Sequence, residues 1–189
     1  MGEEGVGVIN FKKADSEHQT IIFKWLEEPH VKEFWDNSQA HKDDIVNFIN
    51  GRKEPSNYYN GEFTYWVGSL DGHPFSLIMS IKENPHENRP QIKEKYLSKT
   101  GNTYGLDYMI GDKEYFGKGF GASTLKEFTE FFQRENDPLA DTFFIDPDKS
   151  NPRAKHVYEK AGFKCVGSFI IEGSSVFKNS ETYLLVKKL

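Results

Sequence analysis

Three alternating glycines, in Tyr115-Phe116-Gly117-Lys118-Gly119-Phe120-Gly121-Ala122, form the sharpest local signal for chemistry in the chain. Glycine lets the backbone turn tightly and approach an anion closely, and a helix starting there offers unpaired N–H groups at the positive end of its dipole. Phosphate binding is one reading of this segment, and a plain tight turn from strand to helix is the other. A nucleotide-triphosphate loop does not fit. Five residues, Asp112 to Phe116, separate Gly111 from Gly117-Lys118 where that loop has four, and Gly119 stands where Ser or Thr is needed. A dinucleotide-binding unit fits poorly too, because helices and antiparallel strands are expected ahead of the turn.

The second signal runs from Asp146-Pro147-Asp148 through Asn151, Ala154 and Tyr158 to Gly162-Phe163. It opens like a calcium loop, but Asn151 occupies the position of the sharp turn that calls for Gly. His86-Glu87 lacks the second histidine of a helical zinc motif. The single cysteine, Cys165, excludes an intrachain disulfide and a Cys-rich zinc site. It follows Phe163 in an apolar stretch and is expected to be a small buried hydrophobe. No metal is expected.

The elements that must position these residues follow from periodicity. Val6 to Phe11 reads as a strand. Ser16 and Gln19 form a capping box for a helix carrying Ile21, Ile22, Trp25 and Leu26, which Pro29 ends. A short helix with Val31, Phe34 and Trp35 follows, then one over His41 to Asn50 stopped by Gly51. Phe63 to Leu70 and Phe75 to Ile81 are strands joined by the hairpin turn Asp71-Gly72. Residues 84–101 are polar, carry Pro85 and Pro90, show no period, and read as an excursion loop. Next come a strand over Thr103 to Ile110, a helix over Gly121 to Gln133, a strand over Thr142 to Ile145 and a helix with Asn151 as N-cap and Pro152 in its first position. Two strands, Phe163 to Ile171 and Thr182 to Val186, flank a turn at Gly173 to Ser175.

The 189 residues suit one domain, residues 1–189. Acids outnumber bases 29 to 24, for a net charge of −5. That balance argues against a nucleic-acid partner, whose phosphates require neutralising Lys and Arg, and favours a cationic one. No apolar run approaches the ~18–20 residues needed to span a bilayer, and the first ten residues lack a signal-peptide pattern. No membrane partner and a cytoplasmic location are expected.

The string Asn-x-x-Ala-x-x-x-Tyr-Glu-Lys-x-Gly-Phe, about thirty residues after a Gly-x-Gly helix start, resembles the GCN5-related N-acetyltransferase (GNAT) superfamily. The resemblance spans nearly the whole chain. Within the superfamily, Phe23-Lys24-Trp25-Leu26, His30-Val31 and Phe34-Trp35 resemble an opening shared by aminoglycoside 6′-N-acetyltransferases and acyltransferases of hydroxamate siderophore synthesis. Gly105-Leu106-Asp107 looks like the Gly-Ile-Asp segment of the former, while the latter usually carry His where this chain has Asp107.

The resemblance implies an α/β (α+β) fold of GNAT type: a mixed central sheet flanked by helices and splayed between the strands ending near Ile110 and Asp146. Acetyl-CoA would lie in the opening as co-substrate. Met109 and Ile110 would pair with its pantetheine arm, Lys118, Gly119, Phe120, Gly121, Ala122 and Ser123 would hold its pyrophosphate, and Asn151 and Ala154 would line its far side. The family's first motif position is commonly Gln or Arg, and here it is Phe116. Tyr158 is placed like the family's general acid for the leaving thiolate, since a phenol of ordinary pKa about 10 is protonated at neutral pH. Asp107 and Asp146 would bind the substrate ammonium and accept its proton, and Trp35 with Phe34 would wall the acceptor pocket. Asp36 and Glu62 could add negative charge near it.

The expected activity is acetyl transfer to a primary amine of a small polycationic acceptor, foremost the 6′-amine of an aminoglycoside, by direct attack in a ternary complex. Alternatives are acylation of N-hydroxylysine or N-hydroxyornithine, protein N-terminal or lysine acetylation, and a non-catalytic acyl-CoA sensor. The protein is expected as a monomer or homodimer.

Overall fold

Neighbouring residues Tyr65 and Trp66 are both buried, which requires a sheet covered on its two faces. The computed structural model describes residues 7–84, 90–171 and 180–189. Their order is β1 (Ile9–Lys13), α1 (Gln19–Leu26), α2 (Pro29–Lys32), α3 (Gln39–Ile49), β2 (Thr64–Leu70), β3 (His73–Lys82), α4 (Gln91–Tyr96), β4 (Asn102–Ile110), α5 (Phe120–Glu135), β5 (Ala140–Ile145), α6 (Pro152–Lys160), β6 (Lys164–Ile170) and β7 (Glu181–Lys188). The strands form one sheet in the order β1-β2-β3-β4-β5-β7-β6. Every pairing is antiparallel except the central β4–β5 pair, which is parallel. The α5 helix makes the crossover between those two strands, as a parallel connection requires.

Side-chain alternation divides the core. Trp66, Ile78, Leu106 and Phe143 join Phe128 and Phe132 of α5 and Tyr158 of α6 on one face. Tyr65, Val67, Leu77, Met79 and Met109 meet Ile22, Trp25, Leu26 and Ile45 of α1 and α3 on the other. On that second face, the β5–β7 half is covered by α4, whose Ile92 and Tyr96 pack near Phe144, Leu184 and Val186. The Asp71-Gly72 turn has positive φ at both residues (49° and 84°), the geometry of the tight hairpin expected there.

Four local expectations are corrected. The stretch 84–101 contains α4, a helix of six residues, too short for its period to stand out; Ile92 and Tyr96 at i, i+4 are its packing face. The first helix starts at Gln19 with His18 at its N-cap and no side-chain cap bond, so Ser16 and Gln19 form no capping box. Instead the Asp15 carboxylate accepts the Glu17 N–H, and His18 Nδ1 accepts the Asp15 N–H. Phe34 and Trp35 lie beyond the four-residue α2. Cys165 is exposed, because β6 is the outer strand of the sheet and its register slips between Cys165 and Gly167. The expected turn at Gly173 to Ser175, and His86-Glu87, fall outside the described residues.

Candidate active site

The central parallel pair parts early. Pairing of β4 with β5 ends at Leu106↔Ile145, whereas β4 runs on to Ile110 held only by β3. Beyond the last rung stand Asp107 on one strand and Asp146-Pro147 on the other, and proline cannot extend a ladder. The Gly111 N–H bonds the Phe75 carbonyl of β3, so strand alternation turns the peptide groups of Tyr108 and Ile110 toward the opening. His30 Nε2 donates to the Ile110 carbonyl at 2.9 Å and ties α2 to that strand end.

A cleft of about 490 Å³ fills the opening. Its wall includes Asp107, Met109, Ile110, Asp146 and Tyr158, together with Gly119, Gly121, Ala122, Asn151 and Ala154, with Phe34 and Trp35 at one side. Of the residues expected at the site, Lys118, Phe120 and Ser123 are off this wall. Lys118 is exposed. The Ser123 hydroxyl bonds the Gly119 carbonyl, and the Phe120 ring packs 5.5 Å from Tyr115 and 6.0 Å from Phe75. Asp36 and Glu62 are also absent from the wall; the Asp36 carboxylate accepts the Ser38 N–H in a local turn.

One end of the cleft is built for an anion. Gly119 is the N-cap of α5 in the left-handed conformation (φ 83°), so the N–H groups of Phe120, Gly121 and Ala122 have no intrahelical partner. A Cβ on Gly121 would meet Val157 at 2.9 Å, so glycine is what lets α5 and α6 come together there. Asn151 caps α6, its Oδ1 accepting the Ala154 N–H at 3.0 Å. Phe116 is edge-on to His30 at 4.8 Å, and the Arg153 guanidinium lies 4.9 Å over its ring. A cation therefore stands at this end although the glycine loop carries Phe at its first motif position. An unpaired strand edge, a helix N-terminus and Arg153 along one cleft fit the amide-rich arm and phosphates of a coenzyme A thioester.

The other end is acidic. Asp107 is exposed on the face of the cleft, and the cleft walls beside it and nearby Asp146 push its carboxyl up to about 7. Tyr158, in the same wall, is raised above the ordinary phenol range by burial first and by Asp107 second, so its proton is held. Asp146 does not stand free: Lys93 of α4 pairs with it at 2.9 Å and lies 3.6 Å from Glu83 at the end of β3. Asp107 also raises the Tyr58 and Tyr59 phenols, after their burial. Those tyrosines sit in a turn where Tyr59 and Asn60 have positive φ (45° and 54°).

Sequence reasoning passed over Arg153 and Lys93. Arg153 lies inside the Asn151 to Gly162 string, where its neighbours drew the attention. Lys93 lies in the stretch read as a loop, and no local pattern connects it to Asp146. Among the described residues no group of three or more His, Cys, Asp and Glu is arranged to hold a metal ion, and no helix is long and apolar enough to cross a membrane.

Comparison with known proteins adds an independent line. Aminoglycoside N(6′)-acetyltransferase type 1 of Klebsiella pneumoniae is 25% identical over 161 residues, covering 81% of this chain and 73% of that protein. A kanamycin resistance protein of Rhizobium radiobacter is 36% identical over 64 residues, 34% of this chain and 57% of its own. Among solved structures, an aminoglycoside N(6′)-acetyltransferase of Legionella pneumophila matches with a TM-score of 0.73 at 23% identity, over 95% of this chain and 91% of that one. Aminoglycoside acetyltransferase AAC(6′)-Ib in complex with coenzyme A and kanamycin matches at 0.71 and 20% identity, over 96% and 95%. The family model of the acetyltransferase (GNAT) domain matches residues 15–171. With the mixed sheet and its parted central strands, this match establishes that the chain belongs to the GNAT family of N-acetyltransferases.

Proposed function

We propose that the protein transfers an acetyl group from acetyl-CoA to a primary amine of a small polycationic acceptor, foremost the 6′-amine of an aminoglycoside, by direct attack within a ternary complex. One observation carries this reading: the parting of β4 from β5 puts Asp107, Tyr158 and the α5 N-terminus on a single cleft. The curated Klebsiella relative, by its name, supports the acceptor class.

Acetyl-CoA supplies the thioester that an amine can attack once it is neutral. The Phe120, Gly121 and Ala122 amides and Arg153 hold its phosphates, and the β4 edge at Tyr108 to Ile110 takes its amide arm. An N–H of that edge polarises the thioester carbonyl as negative charge develops on its oxygen. Asn151 and Ala154 shape the opposite wall, and Trp35 with Phe34 bounds the acceptor.

Asp107 receives the amine's proton, a task matched by a carboxyl poised near neutrality. Tyr158 protonates the departing sulfur and is restored by the second proton, which the attacking nitrogen sheds as the amide forms. The two roles are coupled, because the Asp107 charge is one of the causes that hold the Tyr158 proton. Once Asp107 is protonated that cause disappears, and the phenol becomes a better acid as the thiolate leaves.

Purified protein mixed with acetyl-CoA and a panel of aminoglycosides is expected to release free thiol, and Tyr158→Phe to lower kcat while coenzyme affinity stays near wild type. Silence with every aminoglycoside, but turnover of N-hydroxylysine or N-hydroxyornithine, would move the protein to hydroxamate acylation. Tight acetyl-CoA binding with no turnover of any acceptor would make it a sensor.

A further inference from the structure

Three carboxylates from three parts of the sheet meet near the point where the central strands part: Glu83 after β3, Asp107 on β4 and Asp146 after β5. One ammonium joins two of them. Lys93 reaches in from α4 with its side chain only 15% exposed, 2.9 Å from Asp146 and 3.6 Å from Glu83. We propose that Lys93 is a positioning residue of the acceptor site: by engaging Asp146 and Glu83 it leaves Asp107 as the free carboxylate that takes the acceptor's proton. This rests on the acetyl-transfer reading above.

Two acids facing one cleft do not both ionise freely without a neighbouring cation. Lys93 supplies that cation off the cleft wall, where it does not block the acceptor's approach. Burial opposes its charge, but Asp146 and Glu83 outweigh burial and raise its pKa, so the ammonium persists through the neutral range. The same charge acts on Asp107 and lowers its pKa, against the raising effects of burial, Asp146 and Glu83. Among the described residues, the other ionisable groups facing this corner are the phenols of Tyr158 on α6 and of Tyr58 and Tyr59 in the turn before β2, each affected by Asp107. All three phenols are raised, so none supplies charge at neutral pH. Lys93 is thus the charge that separates the two aspartates: Asp146 is paired, and Asp107 is available.

The placement of α4 enforces this. Ile92 packs against Gly167 of β6, where a Cβ would approach its Cδ1 to 2.4 Å, and the next residue on the helix is Lys93. The Lys93 ammonium also lies 5.4 Å over the Phe169 ring. A lysine held by both backbone packing and an aromatic face is set in position before any acceptor arrives.

The test compares wild type, Lys93→Met and Lys93→Arg by carbon-13 NMR titration of labelled aspartate carboxyls in acceptor-free protein, with Asp107→Asn assigning the resonance. The Asp107 midpoint is expected to rise by about one pH unit in Lys93→Met, as loss of an adjacent opposite charge requires, and to stay near wild type in Lys93→Arg. The acid limb of the acetyl-transfer rate should follow it, with about a fivefold loss at pH 7 that recovers by pH 9. An unmoved Asp107 midpoint in folded Lys93→Met overturns the proposal. Should Lys93→Met fail to fold, Lys93→Gln is read by the same criteria. A shifted Asp107 midpoint in a protein that acetylates no acceptor would uphold the role of Lys93 and reject the acetyl-transfer reading, so the two fail separately.

Discussion

At the scale of single residues, the site depends on environments rather than residue types. Asp107 and Asp146 are the same amino acid just beyond the same rung of the ladder, yet one is paired with Lys93 and the other faces the cleft without a hydrogen-bond partner among the described residues. The Asp107 shift has a stability consequence whose sign is fixed by linkage. Its folded pKa is raised, so its contribution to stability is fully present below its unfolded value near 4 and is lost as pH rises through about 7. Asp107→Asn, which carries no charge at any pH, is therefore expected to melt at a higher temperature than wild type at pH 8. The gain should disappear toward pH 4, and thermal scans across that range would check it. An equal gain at both ends would mean that packing, not charge, is responsible.

At the scale of elements, two helix starts border the end of the cleft proposed for the coenzyme, and each rests on one residue. Gly119 holds a left-handed conformation that costs a Cβ-bearing residue about 1–2 kcal/mol. Gly119→Ala is expected to destabilise the protein by roughly that amount in urea titration and to weaken acetyl-CoA binding measured by calorimetry. No atom lies within 4 Å of the added Cβ, so the cause would be backbone strain and not a clash. Loss of stability without loss of coenzyme affinity would show that the α5 amides do not hold the phosphates. Most of these elements were legible in sequence. The Asn151-Pro152 start of α6 is as read, since a cap and a first-turn proline act within one turn of chain. The strands β2 to β5 match their expected spans to within two residues. The short α4 was missed, because six residues give barely more than one turn and its fixed position comes from Gly167 and the β6–β7 face, far away in sequence.

At the scale of the whole molecule, the sheet is continuous at one end and divided at the other. Helices α5 and α6 back the divided region from one side while α1 to α4 cover the opposite face. A coenzyme bound between the parted strands would bridge β4 to α5 and α6. Acetyl-CoA at a hundredfold excess over its Kd is therefore expected to stabilise the folded protein by about 2.7 kcal/mol, seen as a concentration-dependent rise in Tm. A Tm indifferent to acetyl-CoA up to millimolar concentration would argue against a coenzyme site in this cleft. The net charge of −5 says less than the distribution of the acids: Asp146 and Glu83 gather around one lysine beside the cleft, while others, such as Glu27 and Glu181, pair at the surface.

What the sequence determined by itself is what short-range rules govern: the order of the strands and of the helices other than α4, the hairpin at Asp71-Gly72, the cap of α6, and a family pattern whose glycines, Asn151 and Tyr158 lie at set spacings. Phe116 also marked the departure at the first motif position, and the structure places Arg153 beside it. Only the tertiary structure decided which aspartate is free. That choice depends on Lys93, contributed by a helix whose place is set by packing across the sheet, and electrostatics in an enclosed site is governed by distances that no spacing along the chain encodes. The same holds for Cys165, whose apolar neighbours suggested burial until its strand proved to be the sheet's outer edge.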